Sequence, residues 1–279
     1  MKVLSFVNMK GGVGKSTLAI NLAHCLAERR SKKVLVIDMD PQFNATQCLM
    51  DAEEYINYKK LDKSTISSVF NEQQYSFSSV DGIQPANNEQ KECFEFVKIN
   101  DNLYLLPGDL SLYQVEMSPG EGREFRLENF LETIDDDFDF IIIDTPPTPS
   151  IWMSSSLIAS DYFIIVSKPE PLSVTGMNLL NSVIEYRKKN FRLKDLKCLG
   201  VALNLVEGAT LNHQQTIEEL QKSDWSELLF KTHIPKKTKI AKDQINGGHI
   251  LSLNDTDLSL RLVKLTDEIL TRIQSQEKS

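Results

Sequence analysis

Apolar positions gather first at residues 3–7. A glycine-rich turn follows, then Leu18, Leu22, Cys25 and Leu26 at helical spacing, then a second unbroken apolar run at 34–37. An unbroken run marks a strand covered on both faces, and the spacing of 3 to 4 residues marks one face of a helix. Together they predict a βαβ unit with parallel strands. Further runs at 103–106, 140–143, 163–166 and 198–203, mostly separated by helical patterns, extend this to an α/β chain. The expected architecture is a mostly parallel twisted sheet with helices on both faces.

Two regions break the alternation. Residues 51–102 are rich in Ser, Asn, Gln, Glu and Lys, with short apolar clusters such as Ile66, Val69 and Phe70. They predict an elaborated connection rather than a second domain, so residues 1–279 are expected to form one domain. The run from 258 to 273 carries Leu260, Leu262, Val263, Leu265, Ile269 and Leu270 and predicts a closing amphipathic helix over about 255–275.

Composition narrows the class. The chain has 279 residues, 41% of them hydrophobic, which supports a real core. The first apolar stretch is too brief for a signal peptide, and no run reaches membrane-spanning length, so a soluble, cytoplasmic protein is expected. Cys25, Cys48, Cys93 and Cys198 are far apart and form no C-x-x-C pair, so the cysteines indicate neither a zinc site nor a disulfide framework and are expected to be buried free thiols. A net charge of −8 excludes a protein that coats nucleic acid with its whole surface, so DNA contact would have to come from local basic patches.

The segment Lys10-Gly11-Gly12-Val13-Gly14-Lys15-Ser16-Thr17 lies between a predicted strand and a predicted helix, the context a phosphate-binding loop requires. Its glycines let backbone N–H groups approach phosphate oxygens, and the following helix adds the positive end of its dipole. Lys15 would neutralise β- and γ-phosphates, the Ser16 hydroxyl would coordinate Mg²⁺, and Thr17 is placed for the α-phosphate. Two strand ends supply acids: residues 34–37 deliver Asp38-Met39-Asp40-Pro41-Gln42, and residues 140–143 deliver Asp144-Thr145-Pro146-Pro147. Carboxylates at the carboxyl ends of parallel strands converge on the ligand crevice. Metal, charge neutralisation and an in-line water are what phosphoryl transfer needs, and no covalent nucleophile is required. The prolines Pro146, Pro147 and Pro149 fit either a rigid turn or a switch segment.

The loop departs from the generic phosphate-loop pattern by having Met9 where a glycine is usual, followed by a lysine. In this form, K-G-G-V-G-K-[ST], it resembles the ParA/MinD family of P-loop ATPases, through residues 1 to about 241 but weakly over 51–102. The resemblance implies a P-loop NTPase fold, ATP and Mg²⁺ as cofactors, and a homodimer formed on ATP binding. It implies that Lys10 reaches the partner's nucleotide, that Asp40 orients the attacking water, that Asp38 supports the metal shell, and that Asp144 is the Walker B acid. Phe43 stands where the family usually has glycine after D-P-Q, while Asn44 is retained. The resemblance places Asn204, Pro235 and, more weakly, Lys237 near the adenine; polar capping explains Asn204 equally well.

Two basic clusters stand out, one around Arg187, Lys188 and Lys189 and one around Lys236, Lys237, Lys239 and Lys242. Each reads as a solvated face or as a DNA contact. The resemblance favours nonspecific DNA binding by the ATP dimer, a nucleoid-associated location, and a ParB-like centromere-binding partner that triggers hydrolysis. Because the chain begins at the nucleotide-binding strand, a short form lacking an N-terminal helix-turn-helix domain is expected. The competing readings are a MinD-like ATPase positioning machinery at a membrane, a metabolic or redox enzyme on the same fold, and a nucleotide-binding adaptor without turnover. The polar end at 274–279 argues against the first, the cysteine spacing against an iron–sulfur enzyme, and Asp40 against the third.

Overall fold

The computed structural model describes residues 1–70, 75–78, 82–85, 94–118, 120–134, 137–244 and 247–278. Cys93 and parts of the 51–102 connection lie outside them. In chain order the elements are β1 (Lys2–Val7), α1 (Lys15–Arg30), β2 (Val34–Asp38), α2 (Asn44–Leu49), α3 (Ala52–Lys60), α4 (Ile66–Phe70), β3 (Tyr75–Ser78), β4 (Gly82–Pro85), β5 (Val97–Lys98) and β6 (Leu103–Leu106). They continue with α5 (Leu112–Met117), α6 (Arg126–Glu132), β7 (Phe140–Asp144), α7 (Ile151–Ile158), β8 (Tyr162–Ser167), α8 (Ser173–Phe191), β9 (Lys197–Leu203), α9 (Leu211–Gln221), α10 (Thr238–Gln244) and α11 (Thr256–Glu277).

Seven strands form one sheet in the order β5-β6-β2-β7-β1-β8-β9. Every pair is parallel except the edge pair β5 and β6. The antiparallel ribbon of β3 and β4 is separate. Each of the six predicted apolar runs forms one of the parallel strands. The reason is visible in the core. Leu4, Phe6, Val34, Val36, Phe140, Ile142 and Ile164 point to one face, under α1 and α11. Their alternates Leu35, Ile37, Ile141 and Ile143 point to the other, under α4 to α7, and Phe163, Ile165, Val201 and Leu203 pack under α7 to α9. A strand buried on both faces has no polar alternate, so period-2 patterning vanishes from its sequence.

The order places β1 between β7 and β8, and β2 beside β7. All four run the same way, so the loops after Val7, Asp38, Asp144 and Ser167 open at one sheet edge. The connection 51–102 adds α3, α4, β3, β4 and β5, none of which the composition had announced. Its anchor is buried Asp109, which accepts from the Lys59 ammonium and the Thr65 hydroxyl. Burial pushes that carboxyl up, but Lys59, the Ser111 N–H and the Thr65 hydroxyl outweigh it and hold the group at about 2.

The closing helix α11 runs slightly longer than predicted and is capped by Asp255, whose carboxylate accepts from the Leu258 N–H at 3.1 Å. Leu258, Leu262, Leu265, Ile269 and Ile273 bury its apolar face, while Leu260 is half exposed. Near its end, Arg272 closes the open side of β9. Its guanidinium donates to the carbonyls of Leu199 (2.9 Å), Leu228 (2.8 Å) and Leu229 (2.6 Å) and stacks 4.3 Å from the Phe230 ring centroid. Gly200 makes room, because a Cβ there would lie 2.4 Å from Arg272 Nη1. Replacing the fork leaves three carbonyls short of a donor, so Arg272→Met should lower stability by about 2–4 kcal/mol, measured by urea unfolding.

Candidate functional site

The loop between β1 and α1 is shaped by two glycines. Gly12 (φ 74°) and Gly14 (φ 79°) take the left-handed conformation that a Cβ disfavours. Gly14 is also the N-cap of α1, and no side chain caps that end, so the first N–H groups of the helix face the loop's mouth. A Cβ on Gly14 would lie 2.4 Å from Asn204 Nδ2. That amide donates to the carbonyls of Val13 (3.0 Å) and Gly14 (3.1 Å), so Asn204, at the end of β9, clamps the loop from behind. On the other side Asn8 fixes the entry: its Nδ2 donates to Val166 O at 2.6 Å, and its Oδ1 accepts from the Lys10 N–H at 2.8 Å.

Lys15, at the start of α1, is buried. Burial pulls its ammonium below the ordinary lysine range, while Asp144 and Asp40 act in the opposite direction. Asp38 and Asp144 are fully buried neighbours, paired in register at the ends of β2 and β7. They are satisfied very differently. Asp38 Oδ2 accepts from the Thr46 N–H (2.7 Å) and hydroxyl (2.8 Å), and its Oδ1 accepts from the Asp40 N–H at 3.2 Å. Neither oxygen of Asp144 has a well-formed hydrogen bond. Burial raises Asp144 to about 7, against smaller downward pulls from the Ser16 hydroxyl and Lys15. Burial, then the Asp144 charge, likewise holds Asp38 well above the carboxylate range despite its Thr46 bonds.

Asp40 lies at the floor of a cleft of about 420 Å³ whose walls are Gln42, Tyr113, Glu116 and the loop Pro146–Pro149. Its Oδ1 accepts from the Gln42 N–H at 2.9 Å; burial raises its carboxyl, and that N–H and Lys15 counter the rise. Phe43 adopts φ 43°, which is the physical reason a glycine suits this position. Its ring stacks on Tyr55 with centroids 5.2 Å apart.

The structure thus brings Gly11, Gly12, Val13, Gly14, Lys15, Ser16, Asp38, Asp40, Asp144 and Asn204 to one edge of the sheet. Lys10 stands at its rim, bonded to Glu170, which also holds Lys168. Those two ammonium groups, Lys10 first, draw Glu170 down to about 2. Thr17 turns away from the loop, donating to Gln244 Oε1 at 3.0 Å. Pro235 bridges to Val206 just past Asn204, whereas Lys237 pairs with Asp255 at 3.6 Å.

The basic residues are partly engaged. Lys239 also meets Asp255 (2.6 Å), Lys236 meets Glu207 (3.0 Å) and Lys188 meets Glu185 (3.1 Å). Lys189 is exposed. Half-buried Arg187 donates to the Pro149 carbonyl, which ties α8 to the proline loop. Thr46, Glu170, Gln244 and that Arg187 bond had no sequence signal, because each joins residues distant in the chain.

A strand, a glycine turn, an uncapped helix start and two acidic strand ends define a P-loop nucleotide-binding protein. A family model described as an AAA domain matches residues 1–197, and the sporulation initiation inhibitor protein Soj of Bacillus subtilis is 30% identical over 256 residues, 90% of each chain. The chain belongs to the ParA/MinD family of P-loop ATPases. The chromosome-partitioning ATPase Soj of Treponema pallidum is 30% identical over 97% of this chain and 98% of its own. A plasmid partition protein of Borrelia burgdorferi solved with AMPPNP superposes with a TM-score of 0.71 at 25% identity, covering 99% of this chain and 98% of that one.

Asp144 titrates at about 7 when folded, against 3.8 ordinarily. The folded state therefore binds the extra proton between these values, and stability is lost as pH rises through that window. Asp144→Asn should raise the melting midpoint of the nucleotide-free chain, by a margin that grows from roughly pH 5 to pH 8.

Proposed function

We propose that this chain is an ATP-dependent DNA partition ATPase whose ATP-bound homodimer sits on nonspecific DNA. A ParB-like centromere-binding partner stimulates hydrolysis, and hydrolysis releases the DNA. The observation that carries the ATPase reading is Asp144, a buried carboxylate with open oxygens beside Lys15 and Ser16 under the uncapped start of α1. The names of the partition proteins it resembles support the cellular role.

An orphaned buried carboxylate next to a hydroxyl fits a hard divalent cation. Mg²⁺ would be held by Ser16 and Asp144, with Asp38 behind them, and when bound would neutralise phosphate charge. Lys15 and the N–H groups of 11–17 bind the phosphates. Asp40, held by the Gln42 N–H, orients the water for in-line attack, and its raised pKa suits a group that takes up a proton. Lys10 exchanges Glu170 for the partner's nucleotide, which makes pairing depend on the bound triphosphate. Asn204 and Pro235 border the base, and Lys237 lies further out.

The DNA surface comprises Arg187, Lys188 and Lys189 on α8 and Lys236, Lys237, Lys239 and Lys242 around α10. Exposed ion pairs such as Lys236 with Glu207 are weak, so phosphate oxygens compete for these ammonium groups. The membrane alternative gains nothing from α11, whose apolar face is spent on the core. Among the described residues, no helix is long and apolar enough to cross a bilayer.

Lys15→Ala should abolish Mg²⁺-ATP binding in calorimetry. Asp40→Ala should keep ATP binding and dimerisation while turnover falls at least ~100-fold, and Lys10→Ala should lose ATP-dependent dimerisation in light scattering. Undiminished ATP-dependent dimerisation of Lys10→Ala would remove the trans role. Fluorescence anisotropy with a random duplex should give binding with ATP but not with ADP, weakening steeply between roughly 50 and 200 mM salt. Lys239→Ala should weaken all sequences alike and reduce the salt slope by about one.

A further inference from the structure

Beyond the nucleotide cleft, α1 carries a second polar strip. Thr17, Asn21, His24 and Glu28 follow one another at spacings of four, three and four, so they share a helix face. Gln244 at the end of α10 and residues 249–250 lie along it. Thr17 reaches Gln244, and the Ile250 N–H donates to Asn21 Oδ1 at 2.6 Å. At the far end the rings of His24 and His249 lie parallel, with 3.8 Å between centroids and 7° between planes. Glu28 Oε1 sits 3.0 Å from His24 Nδ1 and 3.3 Å from His249 Nε2.

We propose that His24, Glu28 and His249 form a site for a divalent transition cation of the zinc type, separate from the Mg²⁺ position. One donor atom from each residue lies within 4.8 Å of the other two. A tetrahedral zinc ion, with bonds of about 2.0–2.1 Å, places its donors about 3.3 Å apart. Both separations from Glu28 already approach that value. Two imidazoles and one carboxylate are a donor set that zinc-type ions accept while keeping a position open, whereas magnesium prefers oxygen donors alone.

The surroundings are consistent with this. The His24 side chain is 5% exposed, and its Nδ1, like His249 Nε2, is turned toward the same Glu28 oxygen, so the three donor atoms already face one another. Burial, then the neighbouring His24, keeps His249 below the usual histidine range, so its ring offers a lone pair at neutral pH. Glu28 and Asp243 supply negative charge beside His249, partly countered by Arg29. Glu28 is one-third exposed, which leaves solvent access for a water ligand. Occupancy would fasten residues 247–250 to the helix that begins at the phosphate loop.

Titrating the full chain with Zn²⁺, with Mg²⁺ and ATP in excess to fill the phosphate loop, tests the site. One Zn²⁺ per chain and a raised melting midpoint are expected. Affinity should fall about tenfold or more in both His249→Ala and Glu28→Gln. Unchanged ATP binding certifies that a variant has folded, and if one variant fails this check the other decides. The absorption of bound Co²⁺ should change with His249→Ala in the same manner. No zinc uptake by the wild type, or uptake of equal affinity in the folded variants, overturns the proposal.

Discussion

Two carboxylates buried side by side govern this fold's functional edge. Asp38 and Asp144 are forced together by the β2–β7 register, and burial disfavours charge on both. The chain resolves the conflict asymmetrically. Asp38 is given three donors from the turn and helix that follow it, while Asp144 is left with weaker support from the Ser16 hydroxyl and Lys15. The rest of this edge is arranged around that asymmetry. Thr46 must sit at the start of α2 to serve Asp38, and its hydroxyl in turn accepts from the Gly108 N–H at 2.8 Å. Gly108 has to lack a side chain, since a Cβ would lie 3.0 Å from the Asp38 carboxyl carbon.

An unsatisfied acid of this kind is unfavourable in a resting protein and makes sense only as one half of an interaction. Buried polar groups without partners are rare because each costs free energy that the fold must supply elsewhere. The two lysines of the loop are likewise constrained. Lys10 is engaged by Glu170, and Lys15 is drawn below its ordinary range by burial. The nucleotide-free chain is thus prepared for a charged ligand at several points at once.

Much of this was legible in the sequence, for identifiable reasons. Strands buried on both faces appear as unbroken apolar runs, and all six runs became strands of the sheet. The phosphate loop is contiguous, so its spacing alone fixed its place between β1 and α1. Residues whose partners are remote were not legible. Thr46 gains meaning through Asp38 and Gly108, Asn204 through Val13 and Gly14, and Thr17 through Gln244, 227 positions away. Residues 51–102 were opaque because α3 and α4 are short and held by a polar anchor, Asp109, rather than by a long apolar stripe. Asn204, for which base contact and capping stood level, proved to brace the loop's backbone.

Phe43 carries a further implication. A side chain in the left-handed region costs about 1 kcal/mol, and here the ring stacks on Tyr55, whose hydroxyl is itself fixed to the Gly108 carbonyl at 3.0 Å. The aromatic pair offsets a strain that either partner alone would leave exposed. The two positions are therefore physically coupled: without a ring at 55 to stack on, position 43 would be better served by glycine than by phenylalanine.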